Sequence, residues 1–307
     1  MALKLDILDL DAIMDRMKIR AKNSTKNDHG HKKSLSKGLT EARIISFAFV
    51  VALMMVFPVY LFAQQTNISA PLAADANYRP DQSKILAKNV LVTNLTTGQV
   101  LFDKNSTVVQ PIASLAKLMT AITVKEIQST WKTPPEKIKL IAKTAAYTKA
   151  DFQVATGGYM KTNDLVSYML LASSNFAAQS LANGIMPYPS FISYMNFTAK
   201  KLGLNSYVFV NASGLTEDNG KSSVGSAQDI MKTLIIIMKK YPELASATRS
   251  NGATIKSSTG EVIEIDNTNK SLDVIPGIVL GKTGFTDEAG GNLALVIKRN
   301  NNYYGIV

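Results

Sequence analysis

"ASLAKLMTAI", residues 113–122, sets Ser114 three positions ahead of Lys117 at the front of an apolar run. Two readings compete for this stretch. A serine just before an apolar helical run is an ordinary N-terminal cap. A serine and a lysine at i and i+3 also share one helix face, with Cβ atoms about 5–6 Å apart, close enough for a nucleophile and its base. Spacing alone does not choose between them, because Ser-x-x-Lys recurs at Ser34/Lys37 and Ser129/Lys132. The decision rests with the rest of the chain.

Upstream, "KNVLVTNLTTGQVLFDKN" reads as two strands around a turn at Thr97-Gly98. The pattern is helical from Ser114 to Gln128, and residues 136–202 read as mostly helical with loops. A second strand group starts at Gly252 with "ATIKSSTGEVIEI", "GIVLGKTGFT" and "NLALVIKR". Strands at both ends with helices between them predict an α+β domain, an antiparallel sheet flanked by helices with a mainly helical insertion, rather than a βαβ repeat.

Further upstream, Ile44 to Ala63 is free of charge over 20 residues, the length that spans a bilayer core as a helix. Pro58 is compatible with such a helix. Residues 16–43 carry nine Lys/Arg against two acids, which keeps that side cytoplasmic. The expectation is a single-pass cell-membrane protein: a basic cytoplasmic tail (1–43), an uncleaved anchor (44–63), a polar tether (64–83) and an extracytoplasmic domain (84–307). A cleaved signal peptide is the alternative, against which stand the long preceding tail and the poor cleavage site at Leu61-Phe62-Ala63. In the tail, Leu3, Ile7, Leu10, Met14 and Met17 form an amphipathic stripe, either partner-binding or only locally helical. The net charge of +11 is dispersed and lacks any nucleic-acid motif, so no nucleic-acid partner is expected.

The only histidines, His29 and His31, lie in the tail, and there is no cysteine. The domain beyond the membrane therefore cannot hold a Ser-His-Asp triad, and the usual zinc hydrolase sites lack their ligands. No metal and no cofactor is expected. A hydrolase here must draw its base from Lys, Asp, Glu or Tyr, which returns attention to Lys117. A lysine serves as a base only when burial or a second cation lowers its pKa. A second cation must therefore lie beside Lys117.

Two other stretches offer the missing parts. "SSN", Ser173 to Asn175, is the chain's single Ser-x-Asn and lies in the apolar helical stretch "MLLASSNFAAQSLA". A hydroxyl and an amide buried there need partners. "KTG", Lys282 to Gly284, also occurs once, within a strand-like run. Taken singly, the first suits a helix cap and the second a strand end with a glycine bulge.

The order Ser-x-x-Lys, Ser-x-Asn, Lys-Thr-Gly resembles the penicillin-binding D-alanyl-D-alanine carboxypeptidases, serine-lysine peptidases that share a fold with class A β-lactamases. "TGQVLFDKN", "IASLAKLMTA", "VNASGL", "SSVGSAQDIMKTL", "NTNKSL" and "GKTGFTDEAGGNLALV" also read as family blocks in family order, from about residue 85 onward. The resemblance implies the serine β-lactamase/transpeptidase fold. It also implies Ser114 as the acylated nucleophile, Lys117 as its base, Ser173 as a proton relay to the leaving amine, and Asn175 as a contact to the substrate amide and to Lys117. Lys282 would be the second cation and would attract the substrate's terminal carboxylate, with Thr283 donating to it. Gly284 would let the substrate lie along the strand edge, and the backbone N–H groups of Ser114 and Phe285 would form the oxyanion hole.

The implied activity is removal of the terminal D-Ala from peptidoglycan stem peptides through an acyl-enzyme, with β-lactams as acylating inhibitors. A D,D-endopeptidase of peptidoglycan cross-links and an inactive wall-binding protein of the same fold are the alternatives. A β-lactamase would need a deacylating Glu loop between Asn175 and Lys282, and none is evident. The sequence departs from the family at Phe176, where many relatives carry Asp. It also lacks the further basic residue and closing helix that relatives carry beyond "NLALVIKRNNNYYGIV". The expectation is a truncated domain whose last strand leaves edge N–H groups uncovered.

Overall fold

The strands from the two ends of the domain meet in one sheet. The computed structural model describes residues 81–141, 151 and 157–307. The tail with its stripe, the uncharged stretch 44–63 and the tether as far as residue 80 lie outside the described residues, as do 142–150 and 152–156.

The hairpin around Thr97-Gly98 forms between β1 (Val90–Asn94) and β2 (Val100–Lys104). After the two-residue β3 (Gln110–Pro111), a 3₁₀ turn over Ala113–Leu115 leads into α1 (Ala116–Thr130). Leu118, Met119, Ile122, Val124 and Ile127 are all buried, and so are Lys117, Thr120 and Thr123 on the remaining faces. A helix covered on every side belongs at the centre of its domain. Each such aliphatic side chain contributes about 1.5–3 kcal/mol of burial.

A short hairpin of β4 (Lys137–Lys139) and β5 (Tyr159–Lys161) interrupts the stretch read as mostly helical. The helices α2 (Thr162–Leu171), α3 (Asn175–Ile185) and α4 (Tyr188–Lys201) follow. Ser173 and Ser174 therefore lie at a break between two helices rather than inside one apolar helix, and Asn175 opens α3, as the helix-cap reading of this stretch has it. Ser174 caps α3, its Oγ accepting from the Ala177 N–H at 2.9 Å. Ser173 takes a left-handed φ of 55° that no helix interior allows.

The two-residue β6 (Val224–Gly225) pairs with β3. Next come α5 (Ala227–Lys240), capped by Ser226, and α6 (Pro242–Arg249). The hairpin of β7 (Gly252–Lys256) and β8 (Val262–Asp266) stands apart from the main sheet. The chain then returns through β9 (Ile278–Thr286), β10 (Gly290–Arg299) and β11 (Asn302–Ile306).

The main sheet is antiparallel in the order β2-β1-β11-β10-β9. This corrects the expectation of an uncovered final edge. The last strand is the middle one, with Ile306 facing Val92 on one side and Leu295 on the other. Val307 exchanges backbone hydrogen bonds with Leu91, both 2.9 Å. The edge that remains open beside the helices is β9, the strand that carries Lys282-Thr283-Gly284.

Candidate active site

Three separate elements converge on the amine of Lys117, which is fully buried. Its Nζ lies 2.9 Å from Ser114 Oγ, 2.7 Å from Asn175 Oδ1 and 2.6 Å from the Ser213 carbonyl oxygen. The last two atoms can only accept. A neutral amine would give its two hydrogens to them and turn its lone pair toward the Ser114 hydroxyl. That is the orientation a general base needs.

The neutral form is favoured here. Burial holds Lys117 well below the usual lysine range, with the nearby charge of Lys282 acting in the same direction and Asp151 opposing both. Lys282 is itself buried, and burial lowers it to about 7. Its Nζ donates to Ser173 Oγ at 2.9 Å and to the Thr283 carbonyl at 2.8 Å. The second cation required by the sequence reasoning is therefore in place.

Removing that charge from Lys282→Ala should raise the Lys117 pKa, so the acidic limb of the acylation rate moves to higher pH. Acylation by a fluorescent penicillin measured across pH checks this, and an unmoved limb would show that Lys282 does not tune the base.

Local folding explains how Ser114 reaches this cluster. It sits in the 3₁₀ turn rather than in α1, presented from a backbone that is left-handed at Ala113, φ 45°. A non-glycine residue held there stores on the order of 1–3 kcal/mol, as does Ser173, and packing must hold both in place. Beneath Ala113 lies Gly214 at φ +80°, where a Cβ would fall 1.9 Å from the Ala113 carbonyl oxygen. From the other side β9 presses in, and a Cβ on Gly284 would lie 2.9 Å from the Ser114 nitrogen. The glycine of Lys-Thr-Gly thus lets the strand approach the turn that holds the serine.

The structure brings Ser114, Lys117, Ser173, Asn175 and Lys282 into one polar cluster. Thr283 is also at this edge, its hydroxyl 3.0 Å from that of Thr268. The Phe285 side chain is 69% exposed. Sequence reasoning missed Asp151, the Ser213 carbonyl, Gly214 and Thr268. In the sequence, "VNASGL" and "NTNKSL" stand out only as blocks, and Asp151 carries no signal. Phe176, the residue that departs from the family, is buried in the core. Among the described residues no group of three or more His, Cys, Asp or Glu converges on a common point.

A serine beside a buried lysine amine, with a second hydroxyl and a second lysine facing it on an open strand edge, is the constellation of a serine-lysine acyl-transfer enzyme. Residues 76–305 match the family described as D-alanyl-D-alanine carboxypeptidase. The chain is 32% identical over 271 residues to the D-alanyl-D-alanine endopeptidase of Escherichia coli, covering 84% of this chain and 80% of that one. It is 26% identical over 261 residues to the D-alanyl-D-alanine carboxypeptidase DacF of Bacillus subtilis, covering 84% and 64%. Penicillin-binding protein D2 of Listeria monocytogenes, solved with ampicillin bound, superposes with a TM-score of 0.63 at 34% identity, over 72% of this chain and 88% of that one. The chain belongs to the D-alanyl-D-alanine carboxypeptidase family of serine peptidases and has the α+β penicillin-binding fold.

Proposed function

We propose that this protein is a serine-type D-Ala-D-Ala carboxypeptidase that removes the terminal D-Ala from peptidoglycan stem peptides. The observation that carries the reading is the buried Lys117 amine, set between Ser114 and two oxygens that can only accept. In this scheme Ser114 Oγ attacks the carbonyl of the penultimate D-Ala while its proton passes to Lys117. The backbone N–H groups of Ser114 and Phe285 receive the developing oxyanion. Lys282 and Thr283 hold the terminal carboxylate. The C–N bond breaks as the proton taken up by Lys117 is relayed through Ser173 to the departing amine, with Asn175 holding the substrate amide. Water then releases the shortened peptide from the Ser114 ester. A β-lactam would acylate Ser114 in the same way, as the ampicillin and cefotaxime forms of the Listeria protein suggest. Release of free D-Ala from a pentapeptide stem tests the proposal, and a protein that neither releases D-Ala nor takes up a fluorescent penicillin would overturn it.

A second reading keeps the chemistry and changes the leaving group. Relatives from Escherichia coli, Pseudomonas aeruginosa and Haemophilus influenzae, each 32% identical, are named D-alanyl-D-alanine endopeptidase. Offering a cross-linked muropeptide dimer alongside a pentapeptide monomer separates the two. Faster loss of the dimer means an endopeptidase.

The membrane arrangement is part of the proposal: residues 1–43 inside, 44–63 across the membrane, 64–83 a tether and 84–307 outside. Its support is the uncharged stretch and the basic residues before it. Among the described residues no helix is long and apolar enough to cross a membrane. Protease added to intact cells should leave only the tail and anchor. A soluble protein beginning near Gln64 would mean that the segment is cleaved instead.

A further inference from the structure

Behind the turn that carries Ser173 and Asn175 lies a buried carboxylate for which the scheme above has no role. Asp151 is fully buried. Its Oδ1 accepts from the Ser174 hydroxyl at 2.5 Å and from the hydroxyl of Tyr168 on α2. Ser174 is the N-cap of α3, its Oγ accepting from the Ala177 N–H. The neighbours of Ser174 in the chain are both site residues. On one side Ser173, left-handed at φ 55°, accepts from Lys282. On the other, Asn175 accepts from Lys117.

A buried acid that ties α2 to the middle residue of this turn fixes both flanking residues, one bonded to Lys282 and the other to Lys117. We propose that Asp151 is a positioning residue of the catalytic centre, clamping the 173–175 turn through Ser174 and placing a buried negative charge near Lys117. The inference rests on the reading of Ser114 as nucleophile and Lys117 as base.

The charge balance supports this role. Among the described residues, the other buried acids are engaged elsewhere. Glu126 meets Tyr241, Lys201 and Lys240, and Asp229 meets Lys232 and Ser206. The charges felt at Lys117 are those of Lys282 on β9, which favours the free amine, and Asp151, which favours the ammonium. At Lys117 the buried carboxylate of Asp151 therefore opposes the effect of Lys282.

The test uses the full-length protein and the acylation rate with a fluorescent penicillin across pH, with thermal unfolding measured in parallel. Asp151→Asn keeps an acceptor for Ser174 and Tyr168 but removes the charge. Its plateau rate should stay within about threefold of the parent, and its acidic limb should move to lower pH because Lys117 gives up its proton more readily. Asp151→Ala also loses the clamp, and acylation should fall about 10²-fold at every pH, the cost of misplacing catalytic groups by about 1 Å. Recovery of the rate by Asn separates positioning from mere loss of volume. If the folded fraction of both variants acylates with the parent's rate and pH profile, Asp151 is only structural and the inference fails. Should the alanine variant not fold, the asparagine limb decides alone, and an unmoved limb overturns the inference. Acylation that persists in Ser114→Ala would instead bring down the reading of the site as a whole.

Discussion

Ser114→Ala is expected to abolish both penicillin labelling and D-Ala release, a loss on the order of 10⁶-fold in kcat by analogy with removal of other activated serines. The reason is positional. Ser114 is the serine within reach of the Lys117 amine, at 2.9 Å, and β9 closes against its own backbone nitrogen. Ser129, at the far end of α1, gives its hydroxyl to the Glu126 carbonyl at 2.9 Å and has neither companion motif beside it. Ser34 lies in the basic tail. Ser34→Ala and Ser129→Ala should therefore label at the parent rate. Labelled Ser114→Ala, detected in gel or by intact mass, would sink the assignment.

The second large effect is expected from a residue with no side chain. Gly214→Ala places a methyl group 1.9 Å from the Ala113 carbonyl oxygen and 2.6 Å from its carbon, at a backbone angle that alanine already resists. Neither neighbour is the movable tip of a side chain, so the 3₁₀ turn must shift, and Ser114 shifts with it. The Ser213 carbonyl, one residue away, is also an acceptor for Lys117, so nucleophile and base are disturbed together. Stability should fall by at least about 2 kcal/mol. Acylation per folded molecule should drop about 10²-fold. A variant with the parent's melting temperature and acylation rate would mean that the turn is far more pliable than its packing implies.

Much of the centre was legible because its side chains occur in short, ordered motifs whose residue types have few other reasons to coincide. The absence of histidine and cysteine outside the tail narrowed the chemistry before any geometry was available. The groups that escaped notice have no such signature. A carbonyl such as that of Ser213 looks alike in any sequence, and Asp151 is a lone acid brought to the site by tertiary packing. A helix cap at "SSN" was one reading of the sequence, but the left-handed Ser173 was not legible, because apolar content averaged over "MLLASSNFAAQSLA" does not register one residue's backbone angle. Strands of three residues, such as Lys137–Lys139, are too short to show a period. The place of Asn302–Ile306 in the sheet was beyond pattern reading for another reason. Alternation along a strand reports its faces, whereas its neighbours are set by topology.

The central place of that last strand has a consequence for biosynthesis. Val92 and Ile306 are far apart in the chain, so the β1–β2 hairpin is made early and must wait for its partner until residues 302–306 have left the ribosome. Pairings this distant in sequence are slow to form, because loop-closure entropy is lost before the contacts compensate it. During that interval β1 offers an unpaired edge while the apolar helices are already emerging, the kind of exposed intermediate that aggregates. If the domain is exported as proposed, this delay has a use. A chain whose sheet cannot close until residues 302–306 are available stays unfolded, and so able to be threaded, for as long as its translocation lasts.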